Sequence, residues 1–125
     1  MMRDRPTGKE LLALVERIEG GDGSIILPDD ERYKELMIAG ARAIAERQRD
    51  IGDGPEKREL RELNRILGAE VPLADLNKTL AAAIRAGDYG PGTADSAAVG
   101  RHLWQTALER VRESSPKVLG PLGLE

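Results

Sequence analysis

Residues 55–68 read Pro-Glu-Lys-Arg-Glu-Leu-Arg-Glu-Leu-Asn-Arg-Ile-Leu-Gly, and the pattern in that stretch decides the fold. Leu60, Leu63, Ile66 and Leu67 recur at three-and-four spacing, which lays them along one side of a helix, and between them sit Glu56, Lys57, Arg58, Glu59, Arg61, Glu62 and Arg65. The pairs Arg58–Glu62 and Glu62–Arg65 fall at helical-neighbour spacing. Just upstream, Asp53 with Glu56 predicts a capping box, and Pro55 is tolerated in the first turn because its missing N–H has no helical partner there. Gly68 closes the segment.

The same grammar repeats on both sides. Thr7-Gly8-Lys9-Glu10 is a capping box ahead of Leu11, Leu14, Val15 and Ile18, with a left-handed stop at Gly20-Gly21. Ile25-Ile26-Leu27 is too short for a strand and is expected to plug apolar side chains into the core. Asp29 or Asp30 caps a second, long helix whose stripe runs through Tyr33, Leu36, Met37, Gly40, Ala41, Ile44 and Ala45. Its small residues would let another helix approach closely. After Val71-Pro72, Leu73, Leu76, Leu80, Ala83 and Ile84 align, and Gly87 closes that segment. Asp88 to Thr93 concentrates turn formers. Asp95 or Ser96 then caps a last helix with the stripe Val99, Leu103, Ala107, Leu108 and Val111, ending before Pro116. The expected fold is therefore all-α: about five amphipathic helices in a single compact bundle, one domain over residues 1–125 with a loose tail at 117–125.

Composition narrows the function classes. A chain of 125 residues that is 40% hydrophobic and 33% charged suits one soluble domain rather than a disordered chain. A net charge of −3 supplies no field to gather phosphate backbones, so no nucleic-acid partner is expected; a helical nucleic-acid binder is the third choice. Cysteine is absent, which removes disulfides, thiolate catalysis and sulfur-ligated metals. No apolar run is long enough for a membrane helix, the charged start Arg3-Asp4-Arg5 is not a secretory signal, and a cytoplasmic location with no membrane partner is the expectation. Met1-Met2 and Leu124-Glu125 are given no functional weight.

Candidate chemistry is sparse. His102 is the only histidine, flanked by Arg101 and Trp104; an acid–base role needs a positioned carboxylate or hydroxyl, and the plainer expectation is a surface or half-buried histidine. No histidine pair has metal-ligand spacing, and helix capping explains the acidic clusters Asp29-Asp30-Glu31 and Asp50 to Asp53, so no metal is expected. Gly90-Pro91-Gly92-Thr93 lacks the Lys-Ser/Thr ending of a phosphate loop, and Ser114-Ser115 reads as a helix exit. Aromatics make up only 2% of the chain, too few to stack a flat cofactor, so no cofactor is expected. Arginine is plentiful: Arg42, Arg49, Arg58, Arg65, Arg85 and Arg101 are either solvated helix faces or a convergent set for an anion. The residues singled out as interface or ligand contacts are Arg42, Arg85, Arg101, His102 and Trp104, with none assigned to catalysis.

Several blocks together resemble a known group: Arg5-Pro6-Thr7, the run Ile38-Ala39-Gly40-Ala41-Arg42-Ala43-Ile44, Leu76-Asn77 with Leu80, Ile84-Arg85-Ala86-Gly87, and Pro116-Lys117. The chain is similar to an uncharacterised family of short all-helical bacterial proteins found beside or fused to aminoglycoside-phosphotransferase-like kinases and acyl-CoA dehydrogenases. It departs from that pattern with Gly40-Ala41-Arg42 in place of Asn-Ala-Leu and Ser115-Pro116-Lys117 in place of Asn-Pro-Lys. The resemblance carries over no catalytic residues. It implies an accessory or regulatory partner of a kinase-like phosphotransferase in acyl-CoA or small-molecule metabolism. The leading expectation is a noncatalytic helical module that docks a protein partner, a homodimer included. The alternative is a binder of a small anionic ligand, or an enzyme, using arginines with His102.

Overall fold

The computed structural model describes residues 3–125; Met1 and Met2, given no weight above, lie outside them. Among the described residues the chain is all-helical, with five α-helices, two 3-10 turns and no strand. Contacts group the chain into two compact units, residues 3–52 and 53–125, and each is described by itself.

The first unit is a helical hairpin of α1 (Gly8–Glu19) and α2 (Glu31–Ile51). The expected capping box starts α1: Glu10 N–H donates to Thr7 Oγ1 while the Glu10 carboxylate accepts from Thr7 N–H at 3.2 Å. Arg5 pairs with that carboxylate, so hydrogen bonds from Arg5 and Thr7 hold Glu10 down to about 2. The left-handed residue after α1 is Gly21 (φ 83°), since Gly20 keeps a negative φ. Asp30 is the cap of α2, accepting from Tyr33 N–H at 3.0 Å, and Gly52 ends the helix with φ 74°.

The two helices approach closely at Gly8, where an added Cβ would stand 2.8 Å from Ala45 Cα. Gly8 N–H also donates to the Gln48 side chain at 2.8 Å. Close approach thus uses Ala45 of the expected small-residue stripe, whereas Gly40 faces open space. Two expectations for this unit are corrected. Only Val15 and Ala45 among its apolar residues are buried, while Tyr33, Leu36 and Met37 at the start of the α2 stripe are exposed, because the turn of α2 that meets α1 is the Ala45 turn. Ile26 is 95% exposed, so the Ile25-Ile26-Leu27 run fills no core at its middle residue.

The second unit contains α3 (Gly54–Leu67), α4 (Leu73–Arg85) and α5 (Ser96–Ser114), then 3-10 turns at Pro116–Val118 and Gly120–Leu122. Its interior is Leu63, Leu76, Leu80 and Val99, with Leu60, Ile66, Leu67, Leu73 and Tyr89 packed around them. This is the apolar stripe read from residues 55–68, buried against those of α4 and α5. The capping box expected at Asp53 is not formed: the backbone there is not extended, the side chain makes no cap bond, and the carboxylate pairs with Lys57 at 3.0 Å. Gly68 does end α3 in the left-handed region. Of residues 117–125, expected to be loose, 117–118 and 120–122 belong to the two turns and Leu119 between them is buried, while 123–125 lie beyond the turns.

The largest departure is on α5. Its expected stripe includes Leu103 and Ala107, yet both are exposed and the buried positions are Val99, His102, Thr106 and Glu113. The helix is turned so that polar groups face inward. Burying polar groups costs least where they find partners: His102 does, whereas the Thr106 hydroxyl has none among the described residues.

Candidate functional site

The turn of α5 shapes a cleft of about 690 Å³ between α3 and α5. On α3 the residues Arg58, Glu62, Arg65 and Ile66 lie on one side of the helix; on α5, Ala98, Arg101, His102 and Gln105 do the same, with Asp95 at the helix start and Trp104 at the rim. All of these belong to the second unit.

A continuous polar network is built into the wall. His102 Nδ1 lies 2.6 Å from Glu62 Oε2, and the other Glu62 oxygen forms an ion pair with Arg58 at 2.9 Å. Arg58 reaches across to Glu109 with two nitrogens, Nε donating to Oε1 at 2.9 Å and Nη2 to Oε2. Gln105 donates to the same Glu109 carboxylate at 3.4 Å. His102 is only 3% exposed, so the expectation of a surface or half-buried histidine is corrected: the ring sits in the helix packing with a carboxylate behind it.

Electrostatics assign the protons. Burial by itself would raise the Glu62 carboxyl, but hydrogen bonds from His102 and Arg58 outweigh it and hold Glu62 below the usual carboxylate value. Burial pulls the Arg58 guanidinium down, and the pairings with Glu109 and Glu62 more than reverse that. Glu62 is therefore the ionised acceptor, and Nδ1 of His102 carries the hydrogen it receives. The remaining ring nitrogen, Nε2, makes no hydrogen bond among the described residues. The geometry is that of an imidazole held in orientation by a carboxylate.

Of the five residues singled out from sequence, Arg101, His102 and Trp104 come together on this cleft. Arg42 lies on α2 and is committed to Glu19 at 2.5 Å. Arg85 ends α4 and takes no part in the cleft. From the wider arginine set Arg58 and Arg65 join Arg101 here. Glu62 and Glu109 are the residues that sequence reasoning missed as partners. The Arg58–Glu62 spacing was a visible signal, but Glu62 meets His102 across 40 positions and Arg58 meets Glu109 across 51, with no local signature. Among the described residues no group of three or more His, Cys, Asp or Glu is placed to hold a metal ion. No helix of the described residues is long and apolar enough to cross a membrane.

Residues 26–118 match the model of a family described as a domain of unknown function, DUF6285. The chain belongs to that family. The match bears out the uncharacterised family that the resemblance implies. It takes in α2 and every residue lining the cleft, and leaves α1 outside. No curated protein and no solved structure matches the chain.

Proposed function

We propose that this DUF6285 chain is a noncatalytic helical accessory module that docks a protein partner through the first half of α2. The observation that carries the reading is the apolar stripe Tyr33, Leu36 and Met37, which lies on one side of α2 and is 43–54% exposed at all three positions. Water-facing stripes of this kind on an otherwise charged helix mark interaction sites, and helix-in-groove docking reads three-and-four-spaced anchors of this type. The partner is a kinase of the aminoglycoside-phosphotransferase type, acting in acyl-CoA or small-molecule metabolism in the bacterial cytoplasm; the family resemblance supports that choice. The chain regulates or positions the kinase, and a homodimer through the same stripe is the competing use of the surface.

Co-purification of the full chain with the kinase encoded beside it tests the reading. A complex is expected with or without nucleotide, and Leu36→Asp with Met37→Asp is expected to weaken it by tenfold or more, about 1.4 kcal/mol. Both side chains are already in water, so helix content by circular dichroism should not change. No association under any nucleotide condition, or a double variant that binds as well as the parent, overturns the proposal. Sedimentation of the chain alone as a dimer that the same variant dissociates reassigns the surface to self-association.

A further inference from the structure

We propose that the α3–α5 cleft is a binding site for a small molecule carrying one oxyanion group, a carboxylate or a phosphate, on a planar or apolar body. The inference is independent of the docking reading, because every residue of the cleft lies in the second unit and α2 contributes none.

The argument starts from which charges are already spent. Arg58 is consumed by Glu62 and Glu109. Arg65 and Arg101 line the same cleft, one from each helix, and neither pairs with a carboxylate among the described residues. Asp95 at the start of α5 is the one further acid of the lining, and with Glu62 and Glu109 it balances the three guanidiniums formally. What the cleft offers an anion is thus two guanidiniums not paired to a carboxylate rather than a net positive field. Guanidiniums are suited to oxyanions because their donors match the two oxygens of a carboxylate or phosphate.

The cleft is more than a charged surface. His102 lines it with Nδ1 held by Glu62, and its Nε2, which makes no hydrogen bond among the described residues, is left for a ligand to use. Ile66 and Ala98 give an apolar floor, and Trp104, 58% exposed at the rim, offers a flat face for the ligand's body. At about 690 Å³ the cleft falls within the usual range of small-molecule sites, and seven of its ten lining residues are polar or charged, which suits a charged ligand. The fixed carboxylate behind the imidazole makes the polar wall preorganised, so the ligand need not order it.

The chain carries its own reporters, since Trp104 is its only tryptophan and His102 its only histidine. Titration of the full chain with phenyl phosphate, benzoate and inorganic phosphate, at constant ionic strength, is read by Trp104 fluorescence and by the His102 ring resonances. Saturable responses at both reporters are expected, with phenyl phosphate or benzoate binding about tenfold or more tightly than inorganic phosphate. The tighter of the two organic probes assigns the head group as phosphate or carboxylate. Arg65→Gln combined with Arg101→Gln is expected to weaken binding by about tenfold or more, whereas Arg85→Gln leaves it unchanged. These three side chains are exposed, so folding is not at stake. No saturable response at either reporter, inorganic phosphate binding as tightly as both organic probes, or an undiminished affinity in the double variant overturns the proposal.

Discussion

The hairpin of α1 and α2 and the three-helix unit of α3 to α5 are written in the same amphipathic code but spend it differently. In the three-helix unit the leucines of α3 and α4 disappear into a core, and of the polar residues of α5 that go in with them His102 is tied to the Glu62 carboxylate. In the hairpin the apolar stripe of the longest helix is half unused, and one close helix contact is between a glycine and an alanine. A helix pair has only one interface in which to bury its stripe, whereas three helices enclose a space. The lesson is that the same periodicity yields a core where several faces converge and a display surface where they do not.

Truncation of the two interiors gives the strongest test of that contrast. Leu63→Ala removes a fully buried side chain from the three-helix core and is expected to lower stability by about 2–5 kcal/mol. Val15→Ala in the hairpin should cost less, about 1–2 kcal/mol at roughly 0.8 kcal/mol per buried methylene. Urea unfolding followed by Trp104 fluorescence and by circular dichroism measures both; equal costs would erase the distinction between core and hairpin.

Two glycines sharpen it at the next level. Gly8→Ala places a methyl 2.8 Å from Ala45 Cα, which is backbone and cannot give way, so the thermal midpoint should fall by the equivalent of about 1–3 kcal/mol. Gly40→Ala on the neighbouring helix meets nothing within 4 Å and should stabilise by about 0.5–1 kcal/mol, the ordinary gain of alanine over glycine in a helix. Opposite signs from one substitution would map where the hairpin is packed and where it is open.

The smallest effects are at the α1 cap. Thr7→Ala removes the acceptor for Glu10 N–H and should cost about 1 kcal/mol. Glu10 itself has a folded pKa of about 2 against an ordinary 4.5, so its stabilising share is fully present above pH 4.5 and disappears as pH falls towards 2. Carbon-13 titration of Glu10 should give a midpoint near 2 in the parent and a higher one in Arg5→Gln, since the Arg5 hydrogen bond is the leading cause of the depression.

Local signals were legible because they are local. Thr7 with Glu10, a cap at Asp29 or Asp30, and Gly68 as a stop are decided within a few residues of backbone, and the structure contains them, with Asp30 as the cap. Asp53 with Glu56 carried the same signature and did not form a box, because Lys57 takes the Asp53 carboxylate and the backbone is not extended. Of the site, His102, Arg101 and Trp104 were noticed as a cluster in sequence, but their neighbours on the opposite helix were not. Leu103 outranks His102 in any hydropathy reading of α5, yet Leu103 faces water and His102 is buried. Periodicity weighs each side chain alone and has no means of registering that a carboxylate 40 positions away will satisfy a ring nitrogen.

By itself the sequence determined the all-helical architecture and the helix ends set by capping and glycine, since these follow from short-range sterics and hydrogen bonding. Tertiary structure alone decided which face of α5 turns inward, which arginines are spent and which remain, and which half of the α2 stripe stays in water. Those outcomes depend on burial and pairing between residues far apart in the chain, and the energy of a buried polar group is defined only once its partner is in place.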